Sequence, residues 1–169
     1  HHMMEMAGSA VFDNICARIT DVSSKSFVVV AGPGNNGGDG FVVARLLAAS
    51  GASVNVFTIN TTDNNADNKQ KALLAGATVI TPEDDYEMET YTREIRRADV
   101  FIDAIFGTGA RVPLKSVAAK MLGIASVELD GREVLRVAVD CPSGLDCDTG
   151  VVDDNTLYAD VSITFGAAK

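Results

Sequence analysis

The chain has 169 residues, enough for one domain with a sizeable core, and 47% of them are apolar, with no tryptophan. A formal charge of −9 argues against nucleic acid or an anionic membrane as partner, and no stretch is long and apolar enough to span a bilayer. His1-His2 reads as the remainder of an affinity tag, and without it the chain has no histidine, which removes His-based triads, His–Cys dyads and histidine metal sites.

Met3–Ile19 carries a helical apolar face at Met4, Ala7, Val11, Ile15 and Ile19. Phe27–Ala31 reads as a buried strand and runs into Gly32-Pro33-Gly34-Asn35-Asn36-Gly37-Gly38-Asp39-Gly40, before a helix over 38–49 that Ser50-Gly51 ends. Glycines let backbone amides approach a bound group, and a helix N-terminus adds donors and a positive dipole end, so this loop suits a phosphate or another polar ligand. The alternative is a turn that merely lets strand and helix pack closely. Gly32-x-Gly34-x-x-Gly37 satisfies the dinucleotide fingerprint, but the second strand, over 54–59, ends in Asn60-Thr61-Thr62, with Asp63 arriving late. An ordinary dehydrogenase site is therefore only weakly supported. No Gly-Lys-Ser/Thr follows the loop, which excludes a P-loop ATPase.

A polar-faced helix over 65–74 closes at Gly76, and a short strand follows at 78–80. Glu83-Asp84-Asp85 reads as a solvated turn, and 88–97 as a helix with its charges facing solvent. Then come a strand over 99–105, the loop Gly107-Thr108-Gly109, a helix over 114–129, a strand over 134–139, an irregular segment over 141–158 and a last strand over 161–165. Strands alternating with helices of this length predict an α/β fold: a Rossmann-like, doubly wound, mostly parallel sheet with helices on both faces, in one domain over 3–169.

Cys16, Cys141 and Cys147 are odd in number and lack CxxC spacing, so neither a zinc site nor a disulfide framework is implied, and a reducing cytoplasm is the simplest setting. Cys141 lies beside a candidate site but has no base partner, which points to packing.

In a doubly wound sheet, ligands collect beyond the carboxyl ends of the strands. Three polar motifs fall at that edge: the glycine loop, Asp103-Ala104-Ile105-Phe106-Gly107-Thr108-Gly109, and Asp140-Cys141-Pro142-Ser143-Gly144-Leu145-Asp146. A carboxylate in an apolar strand is costly unless paired, hydrogen-bonded or metal-bound, so Asp103 and Asp140 are candidate functional groups, with capping of loop amides as the alternative for each. Asp39 falls in the first turn of the predicted helix, where acidic residues are common for dipole reasons alone.

These motifs in this order resemble the YjeF N-terminal domain family, whose best-understood members are NAD(P)H-hydrate epimerases. Thr149-Gly150 and the closing Ala159-Asp160, Thr164-Phe165-Gly166-Ala167 and Lys169 also fit. The resemblance runs from about Met3 to the end. It implies epimerisation at C6 of hydrated nicotinamide dinucleotides, NADHX and NADPHX, a repair reaction that supports a dehydratase. It implies a dinucleotide substrate contacted by Asn35, Asn36, Gly37, Gly38 and Asp39, by Gly107, Thr108, Gly109, Ala110, Arg111, Val112 and Pro113, and by Asp140. It further implies a potassium ion held by Asn36, Asp103 and Ser143, an oxygen-only set that suits a hard cation. Family members are commonly homodimers. For Asp140, at a strand end beside Val139, the expected role is that of the group that gives and recovers a proton. The family usually reads Met-Glu-Asn-Ala-Gly near the first helix, where this chain has Met4-Glu5-Met6-Ala7-Gly8, and relatives carry further residues at both ends. The rival expectation is a non-catalytic dimeric scaffold, as the same fold serves in eukaryotic messenger-RNA decapping, or a nucleotide-ligand-binding domain of that fold.

Overall fold

A computed structural model describes residues 2–60, 63–109 and 112–165. Six strands form one sheet: β1 (Ser26–Ala31), β2 (Ser53–Thr58), β3 (Thr78–Ile80), β4 (Val100–Ala104), β5 (Leu135–Val139) and β6 (Val161–Ile163). Their order is β3-β2-β1-β4-β5-β6, and every described pairing is parallel. Five helices complete the fold: α1 (His2–Cys16), α2 (Asn35–Ala49), α3 (Ala66–Leu74), α4 (Glu89–Arg97) and α5 (Ser116–Glu128).

Side chains alternate across a strand, so β1 supplies two cores. Phe27, Val29 and Ala31 join Val54, Val56, Val100, Ile102 and Val137 under α1, α2 and α3, with Val11, Ile15, Phe41, Leu47 and Ala72 from the helices. Val28 and Val30 join Phe57 and Phe101 under α4 and α5, with Tyr91, Ile95, Met121, Leu122 and Leu129. Strands buried on both faces explain the continuous apolar runs, and the doubly wound expectation holds.

The strand order reverses direction at β1 and β4: the chain leaves β1 toward β2 on one face and returns to β4 on the other. That opens a crevice at the carboxyl ends of these two strands, where such sheets bind ligands. Most element boundaries fall within two residues of expectation, though α1 ends at Cys16 rather than Ile19. The start of α2 is the instructive exception, because the helix begins at Asn35 rather than Gly38.

Close packing explains it. A Cβ on Gly37 would lie 1.8 Å from the Gly32 carbonyl oxygen, one on Gly38 2.6 Å from Met4 Sδ, and one on Gly40 2.6 Å from Ala104 Cβ. The first two turns of α2 therefore lie directly against the β1–α2 turn, α1 and β4. Asn35-Asn36-Gly37-Gly38 is a weak helix start by propensity, and tertiary contact overrides that weakness.

Gly40→Ala places its methyl against β4 in a full core, with an expected cost of about 1–3 kcal/mol and about 2–4 °C of Tm per kcal/mol. Thermal unfolding checks this, and an unchanged Tm would mean that α2 can move off the sheet at little cost.

Candidate functional site

Asp103 occupies β4 with 3% of its surface exposed. Its Oδ2 accepts the Ser143 N–H at 2.7 Å, and its Oδ1 accepts the Ser143 hydroxyl at 2.6 Å and the Ile105 N–H at 3.2 Å. Burial pushes this carboxyl above its usual range, and the bonds from Ser143 and Ile105 pull it back only in part. Ser143 is fully buried, and its Oγ in turn accepts the Phe106 N–H at 3.0 Å. One carboxylate and one hydroxyl thus tie the loop after β4 to the loop after β5.

Asp140 follows β5 directly and has a positive φ of 69°, in the left-handed region. Its N–H donates to the Ile163 carbonyl at 2.8 Å, which fixes it against β6, and its Oδ2 accepts the Thr108 N–H at 2.8 Å. A Cβ on Gly107 would lie 2.5 Å from Asp140 Oδ2. The glycine at 107 lets the carboxylate lie against the loop backbone.

These loops and the start of α2 line a cleft of about 900 Å³, walled by Gly34, Asn35, Asn36, Asp39, Gly107, Thr108, Gly109 and Asp140, and also by Cys147, Asp148, Thr164 and Phe165. Asp39 lies in the second turn of α2, not the first, so the helix dipole no longer accounts for it. Its carboxyl is pushed up to about 7, first by burial and then by the negative charge of Asp140. Asn36 is nearly buried, and its side-chain nitrogen has no hydrogen-bond partner among the described residues.

The family model described as YjeF-related protein N-terminus matches residues 1–169. The chain belongs to this family. It is 38% identical over 171 residues to the bifunctional NAD(P)H-hydrate repair enzyme Nnr of Thermofilum pendens, across 99% of this chain and 31% of that protein. It is 34% identical over 168 residues to the NAD(P)H-hydrate epimerase of Limosilactobacillus fermentum, across 99% of this chain and 75% of that one. The chain therefore spans about a third of the bifunctional relative and three quarters of the single-function one. The crystal structure of the yeast protein ynu0 superposes with a TM-score of 0.82 at 26% identity, covering 96% of this chain and 69% of that one.

Among the substrate contacts expected from the YjeF family, Asn35, Asn36, Asp39, Gly107, Thr108, Gly109 and Asp140 share the cleft wall. Gly37 and Gly38 do not, because their α-carbons face Gly32, Met4 and Asn65. Val112 and Pro113 also lie off that wall, while Ala110, Arg111 and the closing 166–169 fall outside the described residues. Asp103 and Ser143, two of the three residues expected to hold potassium, are hydrogen-bonded to each other. Met6, in place of the family asparagine, is 61% exposed on α1.

Sequence reasoning missed Cys147 and Asp148, which lie in an irregular segment with no periodic signal, and gave Thr164 and Phe165 no site role. Their position just past β6, at the same sheet edge, was the available clue. Cys141 is buried, in keeping with a packing role, and burial and the neighbouring Cys147 thiol push it up to about 12. One expectation needs correction: Asp85 is no solvated turn. It is buried and accepts the N–H groups of Thr90 at 2.9 Å and Tyr91 at 2.7 Å. It caps α4, a task the thioether of Met88 at the N-cap position cannot perform.

Ser143→Ala removes a hydrogen bond to a buried carboxylate, with an expected loss of about 1.5–3 kcal/mol in urea unfolding. A loss under about 0.5 kcal/mol would mean that water takes over the hydroxyl's place. A second prediction concerns pH. Between 3.8 and about 7 the folded protein keeps a proton on Asp39 that the unfolded chain has released, so this group's contribution makes stability fall as pH rises through that window. In Asp39→Asn the drop in urea midpoint between pH 5 and pH 7.5 should shrink, and an unchanged drop would assign it to another group.

Proposed function

We propose that this chain epimerises NAD(P)H hydrates at C6 of the nicotinamide ring. The observation that carries the reading is the Asp140 carboxylate held at the edge of a large cleft, beside a glycine loop that opens a helix, in a chain similar to relatives of that name.

The chemistry needs no redox step. The hydroxyl at C6 sits beside the ring nitrogen, whose lone pair can expel it once it is protonated. Asp140 gives that proton, the C6–O bond breaks, and the ring becomes a planar cation with a C=N bond. Water then adds to the opposite face, the electron pair returns to nitrogen, the added water loses its proton to solvent on that face, and Asp140 is reprotonated from solvent. The centre is inverted and the atoms balance. Thr108 N–H keeps the carboxylate oriented toward the reacting end, and the start of α2 offers N–H donors to the rest of the substrate.

Potassium belongs to the same proposal. Asp103, Ser143 and the Asn36 amide would hold it, and when bound it would supply a fixed positive charge for an anionic ligand. The fit rests on the donor chemistry and on Asn36. Its buried, unpartnered nitrogen is costly, and half a turn about the last side-chain bond presents the amide oxygen in the same position. The expected homodimer, the functional partnership with a dehydratase and a cytoplasmic setting go with the same reading. Among the described residues no helix is long and apolar enough to cross a membrane. Bifunctional relatives carry both repair activities by name.

Purified protein should accelerate interconversion of the two C6 epimers of NADH hydrate, resolved by chromatography over time, with and without potassium. Asp140→Asn should lower kcat by about 10²-fold or more with little change in KM. Near-unchanged epimerisation by that variant would remove Asp140 from the acid–base role. If the wild-type protein were silent, the scaffold reading would replace the enzyme.

A further inference from the structure

A second cavity, of about 200 Å³, lies on the other side of the glycine loop. Gly32 and Pro33 line it, whereas Gly34, Asn35 and Asn36 line the large cleft. It sits beyond the carboxyl end of β2, with Thr58 and Asn60 on its wall, and α3 closes it with Asn65, Ala66, Lys69, Gln70 and Leu73. The sheet order sets β1 between β2 and β4, so the two cavities flank the end of β1 and the start of α2.

Its wall divides by chemistry. Pro33, Phe41, Ala66 and Leu73 offer apolar surface to a flat ring, and Thr58, Asn60, Gln70 and the half-buried Lys69 offer polar atoms. Asn65 donates to the Gly34 carbonyl at 3.0 Å, which links this cavity's wall to the rim of the cleft. The space holds roughly six waters' worth of volume, enough for a heterocyclic base but not for a dinucleotide.

We propose that this cavity receives the adenosine end of the dinucleotide and that Lys69 binds a phosphate on the adenosine ribose, so that the 2′-phosphorylated substrate is preferred. The inference rests on the epimerase reading, because it extends the ligand placed in the large cleft. In a doubly wound sheet, a dinucleotide lying across the crevice puts its pyrophosphate on the helix after β1 and its adenosine ribose at the end of β2. An acidic residue there would hold free ribose hydroxyls and repel a phosphate. Here β2 runs out into Asn60, and among the described residues the cation on the cavity wall is Lys69, whose charge Asp84 also feels. A lysine is a suitable point charge for a phosphate, and an amide tolerates one.

The test is calorimetric titration with adenosine 2′,5′-bisphosphate and with adenosine 5′-phosphate, alongside kinetics on both hydrates. The bisphosphate should bind about tenfold tighter than the monophosphate, the difference should vanish in Lys69→Ala, and Lys69→Arg should keep it. In Lys69→Ala, KM for the NADPH hydrate should rise about tenfold more than KM for the NADH hydrate. Equal binding of the two nucleotides, or a preference that survives Lys69→Ala, would overturn the proposal. If neither hydrate is epimerised while the nucleotide preference still follows Lys69, the cavity assignment stands and the epimerase reading falls.

Discussion

The contact on which the site depends is the one between Asp103 and Ser143. A carboxylate inside a central strand is tolerated because two donors of one residue and the N–H of Ile105 satisfy it, and that residue lies forty positions away in the chain. The same hydroxyl accepts the Phe106 N–H. The loops after β4 and β5 are thereby fixed relative to each other, and both walls of the cleft inherit that register. Asp140 hangs from one of these loops and grips the other through Thr108. Shifting the Asp103–Ser143 pair would move the Asp140 carboxylate and its partner loop apart.

A second constraint acts from the other side of the crevice. The glycines of 32–40 divide into two groups with separate tasks. Gly37, Gly38 and Gly40 bring α2 against the β1–α2 turn, α1 and β4, whereas a Cβ on Gly34 would meet only open space at the mouth of the cleft. Packing and binding are therefore not rival explanations of this run. Close approach of α2 to the sheet carries the helix N-terminus, and Asn36 and Asp39 with it, to the wall that Asp140 faces. A side chain at Gly40 would push α2 off Ala104 of β4, and one at Gly37 would push it off the Gly32 carbonyl.

Much of this was legible in the chain before folding. Apolar runs of strand length, alternating with helical periods, gave the architecture because both sheet faces are buried and the pattern is therefore strong. The three polar motifs were placed at one edge for a topological reason: each follows a strand, and all strands run parallel. The misses share a physical cause. The start of α2 is set by contacts with Gly32, Met4 and Ala104, and no local propensity would begin a helix at Asn-Asn-Gly-Gly. Asp85 looks like one acidic residue among three until Met88, unable to cap, leaves the first amides of α4 in need of an acceptor. Cys147 and Asp148 reach the cleft from a segment held by turns, the isolated bridge Leu145–Val152 and side-chain caps, none of which leaves a periodic trace.

The charge distribution also bears on how an acidic protein handles an anionic substrate. Asp39, Asp140 and Asp148 line the cleft and Asp103 lies buried at the end of β4, while no described lysine or arginine shares its wall. Such a surface repels phosphate. It also favours positive charge, and on the proposed route the nicotinamide ring becomes a cation at the moment its hydroxyl departs. Fixed carboxylates aimed at charge that develops only along the reaction stabilise the transition state more than the ground state. Asp39, pushed up to about 7, is protonated in part at neutral pH, so on the proposed route it repels the rest of the ligand less than a full charge would. On the proposed placement the phosphates find their partners at the α2 N-terminus on the cleft wall, at the proposed cation, and on the far side of the loop where Lys69 lies. On that placement the reacting ring and the phosphates call for opposite electrostatic surroundings, and the two cavities that flank the end of β1 would supply them.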